Sequence, residues 1–208
     1  VADCLTLINP RDDRPVFVFP WEGVTCIGTT DLDHGDSLDQ EARASGAEVD
    51  YLLELIGEPR EIDLVAQGIS RRAADPKFPY DTGRLRHVIE RVARNSRWSN
   101  RPLGNGRGFG IAACYSFRSY VATVVEVQVD SSGGLKIPNV WLVADCGQII
   151  HPERVRAQFE GAQVFGASLA LLGELTASDG RIDQSNFHDF PVARIHQAPF
   201  QTHVEVVD

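Results

Sequence analysis

Apolar and polar positions alternate with two different periods along the chain. Val49, Leu52, Leu53 and Ile56 recur every three or four residues, which predicts a helix over 47–56, and Gly57 stands where a C-terminal cap belongs. Leu85, Val88, Ile89 and Val92 form a second helical stripe, opened by Asp81-Thr82 as its cap. Period-two character marks the strands. Val16 to Phe19 and residues 24–28 flank Trp21-Glu22-Gly23, the pattern of an N-terminal β-hairpin. Val121, Thr123, Val125, Val127 and Val129 alternate, which predicts that these side chains share the buried face of a strand. Asp130 to Gly134 turns the chain, and residues 135–144 run back. Pro138 cannot donate to a ladder, so that strand lies at an edge or carries a bulge there. Asp179-Gly180 turns a short hairpin between Leu175 and Ile182, and residues 203–206 make a last strand.

The longest element is a helix over 153–172, with Pro152 at its opening and Gly173 at its stop. Val155, Phe159, Ala162 and Leu169 lie on one side of it. From Ala162 onward nearly every residue is apolar or small, a composition that predicts burial on all sides. Strands and helices mix without a regular βαβ repeat. The expected class is therefore α+β: mixed or antiparallel strands packed with a long buried helix (153–172), plus the N-terminal hairpin. Three regions follow from these shifts: 1–50 with the hairpin and an acidic loop, a helical connector over 51–99, and a sheet-and-helix domain over 100–208.

Composition narrows the partners. The 208 residues carry 29 acidic against 20 basic side chains, a net charge of −9, so the basic footprint of a nucleic-acid binder is missing. Cys4, Cys26, Cys114 and Cys146 are scattered without a C-x-x-C pair, which leaves zinc ribbons and cysteine-ligated clusters unsupported. The most apolar run, 164–172, is far too short to span a bilayer. No signal-peptide pattern opens the chain, and its first residue is Val1, so a processed or truncated start is expected; the compartment, cytoplasmic or periplasmic, stays open. Asp31 to Asp36 mimics the start of a calcium loop, but Gly35 occupies loop position 5 and no Glu stands at position 12. A solvated acidic loop over 29–48 is expected instead. Gly104, Gly106, Gly108 and Gly110 suggest a dinucleotide fingerprint, yet a helix precedes them and a strand follows, the reverse of what that site needs. A loop is expected there.

No self-contained catalytic set is present, and no metal ligand set. His188, His196 and His203 lack helical i,i+4 spacing. Asp145 and Glu174 flank a helix that spans about 30 Å, too far to share one reacting atom. Gln158 stands out: an amide in the second turn of the long helix must spend its hydrogen bonds either on neighbouring backbone or on a ligand.

Longer motifs sharpen the reading. Asp81 to Arg86 (D-T-G-R-L-R), Gly106 to Ala112 (G-R-G-F-G-I-A), Ser119 to Ala122 (S-Y-V-A), Ala144 to Gly147 (A-D-C-G), Val155 to Ala162 (V-R-A-Q-F-E-G-A) and Asp189-Phe190-Pro191 occur in order. With these, residues 52–208 resemble the C-terminal molybdopterin-binding region of the xanthine dehydrogenase/aldehyde oxidase family, in particular isoquinoline 1-oxidoreductase-type β subunits. The resemblance implies an oxidoreductase that hydroxylates aldehydes or N-heterocycles with water as oxygen source. It implies that Gln158 hydrogen-bonds molybdopterin, and that the partners are the remainder of the large subunit and an iron–sulfur small subunit. The family's catalytic glutamate lies in a G-x-G-E segment that does not occur here, so no catalytic residue is assigned and the chain alone is expected to be inactive. Residues 9–54 (Arg14 to Trp21; Ile27 to Asp31) resemble FAD-dependent glycerol-3-phosphate dehydrogenases. The pair of resemblances implies a fusion of two oxidoreductase fragments. Two alternatives stay open, an FAD-dependent dehydrogenase fragment and a cofactor-free structural or interaction fragment.

Overall fold

The computed structural model describes residues 47–63, 66, 79–102 and 104–207, together with the backbone of three N-terminal strands. The architecture is α+β. The N-terminal strands β1 (Leu5–Ile8), β2 (Pro15–Trp21) and β3 (Val24–Gly28) form an antiparallel sheet in that order, so the expected hairpin carries a third strand. The acidic stretch before Ala47, with its calcium-like word, lies outside the described residues, as does the Glu22-Gly23 turn.

Helix α1 (Ala47–Ile56) has the expected bounds, and the Gly57 N–H closes it on Leu53 C=O at 3.0 Å. A two-residue bridge of β4 (Glu61–Ile62) with β5 (Tyr80–Asp81) leads into α2 (Thr82–Asn95). The Asp81 carboxylate caps α2 by accepting from Gly83 N–H at 2.7 Å and Arg84 N–H at 3.4 Å. Val88, Ile89 and Val92 have no exposed surface, and Leu85 is also buried. Each such side chain contributes about 1.5–3 kcal/mol of hydrophobic stabilisation.

Their counterpart is a four-stranded sheet in the order β11–β8–β7–β6. Strands β6 (Arg107–Ser116), β7 (Ser119–Val129) and β8 (Leu135–Asp145) form an antiparallel meander, and β11 (Gln201–Val207) adds parallel to β8. Strand β8 is thus central, and its register with β7 shifts between Glu126 and Gln128, opposite Ile137 and Pro138. The proline is accommodated by the irregularity, one of the two outcomes its missing N–H allows.

Two expectations are corrected by the sheet. Tyr120, Ala122, Val124 and Glu126 form the fully buried face of β7, whereas Val121, Thr123, Val125 and Val127 on the other face are half-buried. Helix α2 packs on β7 and β8, and its cluster takes in Phe109, Tyr120, Ala122, Val124 and Val143. Both faces of β7 are apolar, so alternation alone does not say which one meets the helix. Strand β6 also begins earlier than expected, at Arg107, and takes in Gly108 and Gly110. Gly106 precedes it at φ +71°, and its carbonyl accepts from Val129 N–H at 2.8 Å. A Cβ there would stand 2.0 Å from Val129 O, so close backbone approach explains that glycine.

Candidate functional site

The helix that carries Gln158 is α3 (Pro152–Leu171). Proline opens it, and the His151 ring Nδ1 accepts from Arg154 N–H at 3.3 Å. At its far end the Leu172 and Gly173 N–H groups both donate to Ser168 C=O. The Ser168 hydroxyl, the one buried residue of the helix, accepts from Ala193 N–H at 2.9 Å.

Burial on all sides is not what the structure shows. Val155, Phe159, Gln163 and Ala167, spaced by four, are half-buried while the helix packs along β11. Phe165, Leu169 and Leu171 are 66%, 49% and 48% exposed. Among the described residues only about half of Leu169 and Leu171 and a third of Phe165 is covered. An apolar helix is buried only where neighbours exist to bury it, and composition does not say whether they lie in the same chain.

Gln158 sits on this open side. With Ala162, Phe165 and Leu169 it forms a stripe spaced four, three and four, so the four side chains share one face. It is exposed, and its amide makes no hydrogen bond among the described residues. Its place seven residues into α3 puts it about 9 Å from the helix start, beyond the first turn where the helix dipole acts. Its amide, one acceptor and two donors, is therefore what it offers a ligand.

Three polar groups of the sheet, Glu126, Asp145 and Tyr120, are held by partners within the fold. Buried Glu126 accepts from Asn139 Nδ2 at 2.7 Å and faces Arg107 at 3.4 Å. Asp145, weighed in sequence only against Glu174, is held by Arg84, whose Nε donates to Oδ2 at 2.8 Å and whose Nη2 donates to Oδ1. Burial alone would raise the Asp145 carboxyl, but the hydrogen bonds from Arg84 and from Gly147 N–H, with the Arg84 charge, hold it below the ordinary carboxylate range. The same guanidinium lies 4.5 Å from the Tyr120 ring centroid. Burial pushes the Tyr120 phenol up to about 12, and its oxygen accepts from Asp81 N–H at 2.7 Å. Sequence reasoning had no signal for this pairing across 61 positions beyond the separate motifs that hold Arg84 and Asp145.

His203 shares a 3.1 Å hydrogen bond with Asn139 Oδ1 and stacks on Trp141. His188 lies 3.4 Å from Asp189. Among the described residues no three His, Cys, Asp or Glu side chains group to hold a metal ion, and no helix is long and apolar enough to cross a membrane.

A family model for the molybdopterin cofactor-binding domain matches residues 76–199, more than half of the chain. The chain belongs to the molybdopterin cofactor-binding domain family. That match takes in α2, the β6–β8 meander and α3 with Gln158. The chain is 36% identical over 124 residues to the β subunit of isoquinoline 1-oxidoreductase from Brevundimonas diminuta, covering 58% of this chain and 16% of that protein. It is 25% identical over 196 residues to a nicotinate dehydrogenase subunit of Pseudomonas putida, covering 92% of this chain and 16% of that one. The latter similarity necessarily runs into the N-terminal quarter, and nothing supports the flavin alternative for residues 9–54. Among solved structures, quinoline 2-oxidoreductase from Pseudomonas putida 86 superposes with a TM-score of 0.40 at 21% identity, covering 43% of this chain and 12% of that one. The molybdopterin-domain chain thus spans about a sixth of the length of the curated relatives it matches.

The residues present are compatible with that cofactor as one wall of its site. An unspent amide heads an exposed apolar stripe on α3, and the domain supplies no rival protein partner for it among the described residues.

Proposed function

We propose that this molybdopterin-binding domain contributes part of the cofactor site of a molybdenum hydroxylase large subunit, with Gln158 as a hydrogen-bonding contact to the pterin. When bound, the cofactor supplies the redox centre for hydroxylating an aldehyde or N-heterocycle with water as oxygen source. This chain's part is to hold: the Gln158 amide orients the pterin, while the open side of α3 excludes water once the rest of the large subunit covers it. An iron–sulfur small subunit completes the proposed assembly. The observation that carries the reading is the free amide of Gln158 inside the segment matched by the family.

The test uses a longer family member with the same A-Q-x-E-G-A helix. There the equivalent of Gln158→Ala weakens cofactor affinity about twofold to thirteenfold, the effect of losing one hydrogen bond of about 0.5–1.5 kcal/mol, and lowers molybdenum and pterin content per protomer. The thermal midpoint of the cofactor-free form stays unchanged, because an exposed amide holds nothing in the fold. Unchanged cofactor content refutes the contact.

A further inference from the structure

Helix α3 packs along β11 and is anchored at its far end through Ser168, and where its Gln158 end stands depends also on how the chain leaves the sheet, a departure that one side-chain pair holds. Strand β8 ends at Asp145, and α3 begins at Pro152. Between them, residues 147–150 have no regular structure, and Ile150 is 89% exposed. The Gly147 N–H donates to Asp145 Oδ1 at 3.0 Å, and among the described residues no other hydrogen bond holds the backbone of 147–150. Gly147 has φ +69°, so the turn itself is tightly defined at that residue.

Asp145 is in turn immobilised from the body of the domain. Its side chain is 8% exposed and takes both prongs of the Arg84 guanidinium, a planar fork that fixes the carboxylate plane. Arg84 lies in the first turn of α2, against the Tyr120 ring, and the same turn is pinned by Asp81, whose N–H donates to the Tyr120 oxygen. A continuous chain of contacts therefore runs from Tyr120 and Asp81 through Arg84 and Asp145 to Gly147, and stops four residues short of the His151 cap.

We infer that Arg84 and Asp145 are positioning residues that set the path of 147–151 and thereby the place of Gln158, a role whose functional weight rests on the cofactor reading above. They act by holding a carboxylate oxygen where the Gly147 N–H must come. Lysine at position 84 keeps the charge but offers a point donor in place of the fork.

The experiment is amide hydrogen exchange on the full 208-residue chain without cofactor, comparing the wild type with Arg84→Lys and, as a second variant, Asp145→Asn. Asparagine keeps an acceptor for Gly147 N–H and loses the ion pair. The expected result is exchange about tenfold faster at the Gly147 amide and over the hydrogen-bonded start of α3, 154–158, in Arg84→Lys, the effect of one lost charge-assisted hydrogen bond. Asp145→Asn gives a smaller rise over the same segment. Amides of β7 and β8, which exchange by global opening, rise only by the loss of global stability, and by less than the amides of 147–158, in both. A uniform rise across sheet and linker overturns the inference and leaves the pair a general stabiliser; so does an unchanged 147–158. If Arg84→Lys does not fold, Asp145→Asn decides by the same criterion. The readout contains no cofactor, so it is separable from the Gln158→Ala test: unchanged pterin there with local exchange here removes the contact and keeps the positioning role.

Discussion

Replacing Gly106 by alanine tests whether the glycine-rich run serves the fold. The residue holds φ +71°, a left-handed conformation that costs an alanine about 1–2 kcal/mol. The added Cβ would also lie 2.0 Å from Val129 O, where a real Cβ stays beyond about 3.0 Å, so the end of β7 must retreat by about 1 Å. That retreat pulls on the hydrogen bond from Val129 N–H to Gly106 C=O, worth about 1 kcal/mol. Together the terms predict about 2–3 kcal/mol of destabilisation for Gly106→Ala. Two neighbours serve as controls. Gly104 has φ +94° with open space around its missing Cβ, so Gly104→Ala carries only the backbone cost, about 1–2 kcal/mol. Gly110 lies in β6 with open space and no left-handed backbone, so Gly110→Ala stays within about 0.5 kcal/mol. Urea unfolding followed by far-UV circular dichroism measures all three, with midpoints read at constant slope. Gly106→Ala no costlier than Gly104→Ala would refute the close-approach argument. A large loss in Gly110→Ala would show that the run is constrained by something other than β7.

Ile89→Ala empties a site with no exposed surface between α2 and the sheet, and is expected to cost about 2–5 kcal/mol in the same urea titration; a loss under about 1 kcal/mol would mean that α2 is not seated as described. Acid sensitivity follows from the Arg84–Asp145 pair. Because the Asp145 carboxyl titrates lower in the folded chain than in the unfolded one, its stabilisation is complete above the ordinary carboxylate range and is lost as pH falls through its folded value. Asp145→Asn is therefore less stable than wild type at neutral pH, and the gap closes as the pH drops below about 4. A gap that persists undiminished to about pH 3 would show that the carboxylate's charge is not what the pair contributes.

Legibility in the sequence tracked how local each constraint is. The bounds of α1 and the buried stripe of α2 were readable because caps and a one-sided apolar face act within a few residues of each other. The buried face of β7 was not, since Val121 and Val125 compete with Ala122 and Val124 on equal terms, and only α2, packed from upstream in the chain, breaks the tie. The start of β6 was hidden for a related reason: Gly108 and Gly110 have poor strand propensity, and their pairing with Val127 and Val125 is supplied by the neighbouring strand. The candidate site shows both limits at once. Gln158 was found as an amide in a helix otherwise rich in apolar residues, but the argument that burial forces it to seek a partner does not hold, because that side of α3 is exposed. The amide matters for the opposite reason: it is unspent on a surface where Phe165 is mostly exposed and Leu169 about half exposed. Asp145 reverses the case, since a carboxylate at a strand end looks available to chemistry until Arg84, 61 residues away, is brought onto it. Of the two groups, the one the fold leaves open is the one that can meet a ligand, and the one the fold closes is the one that can decide where the other stands.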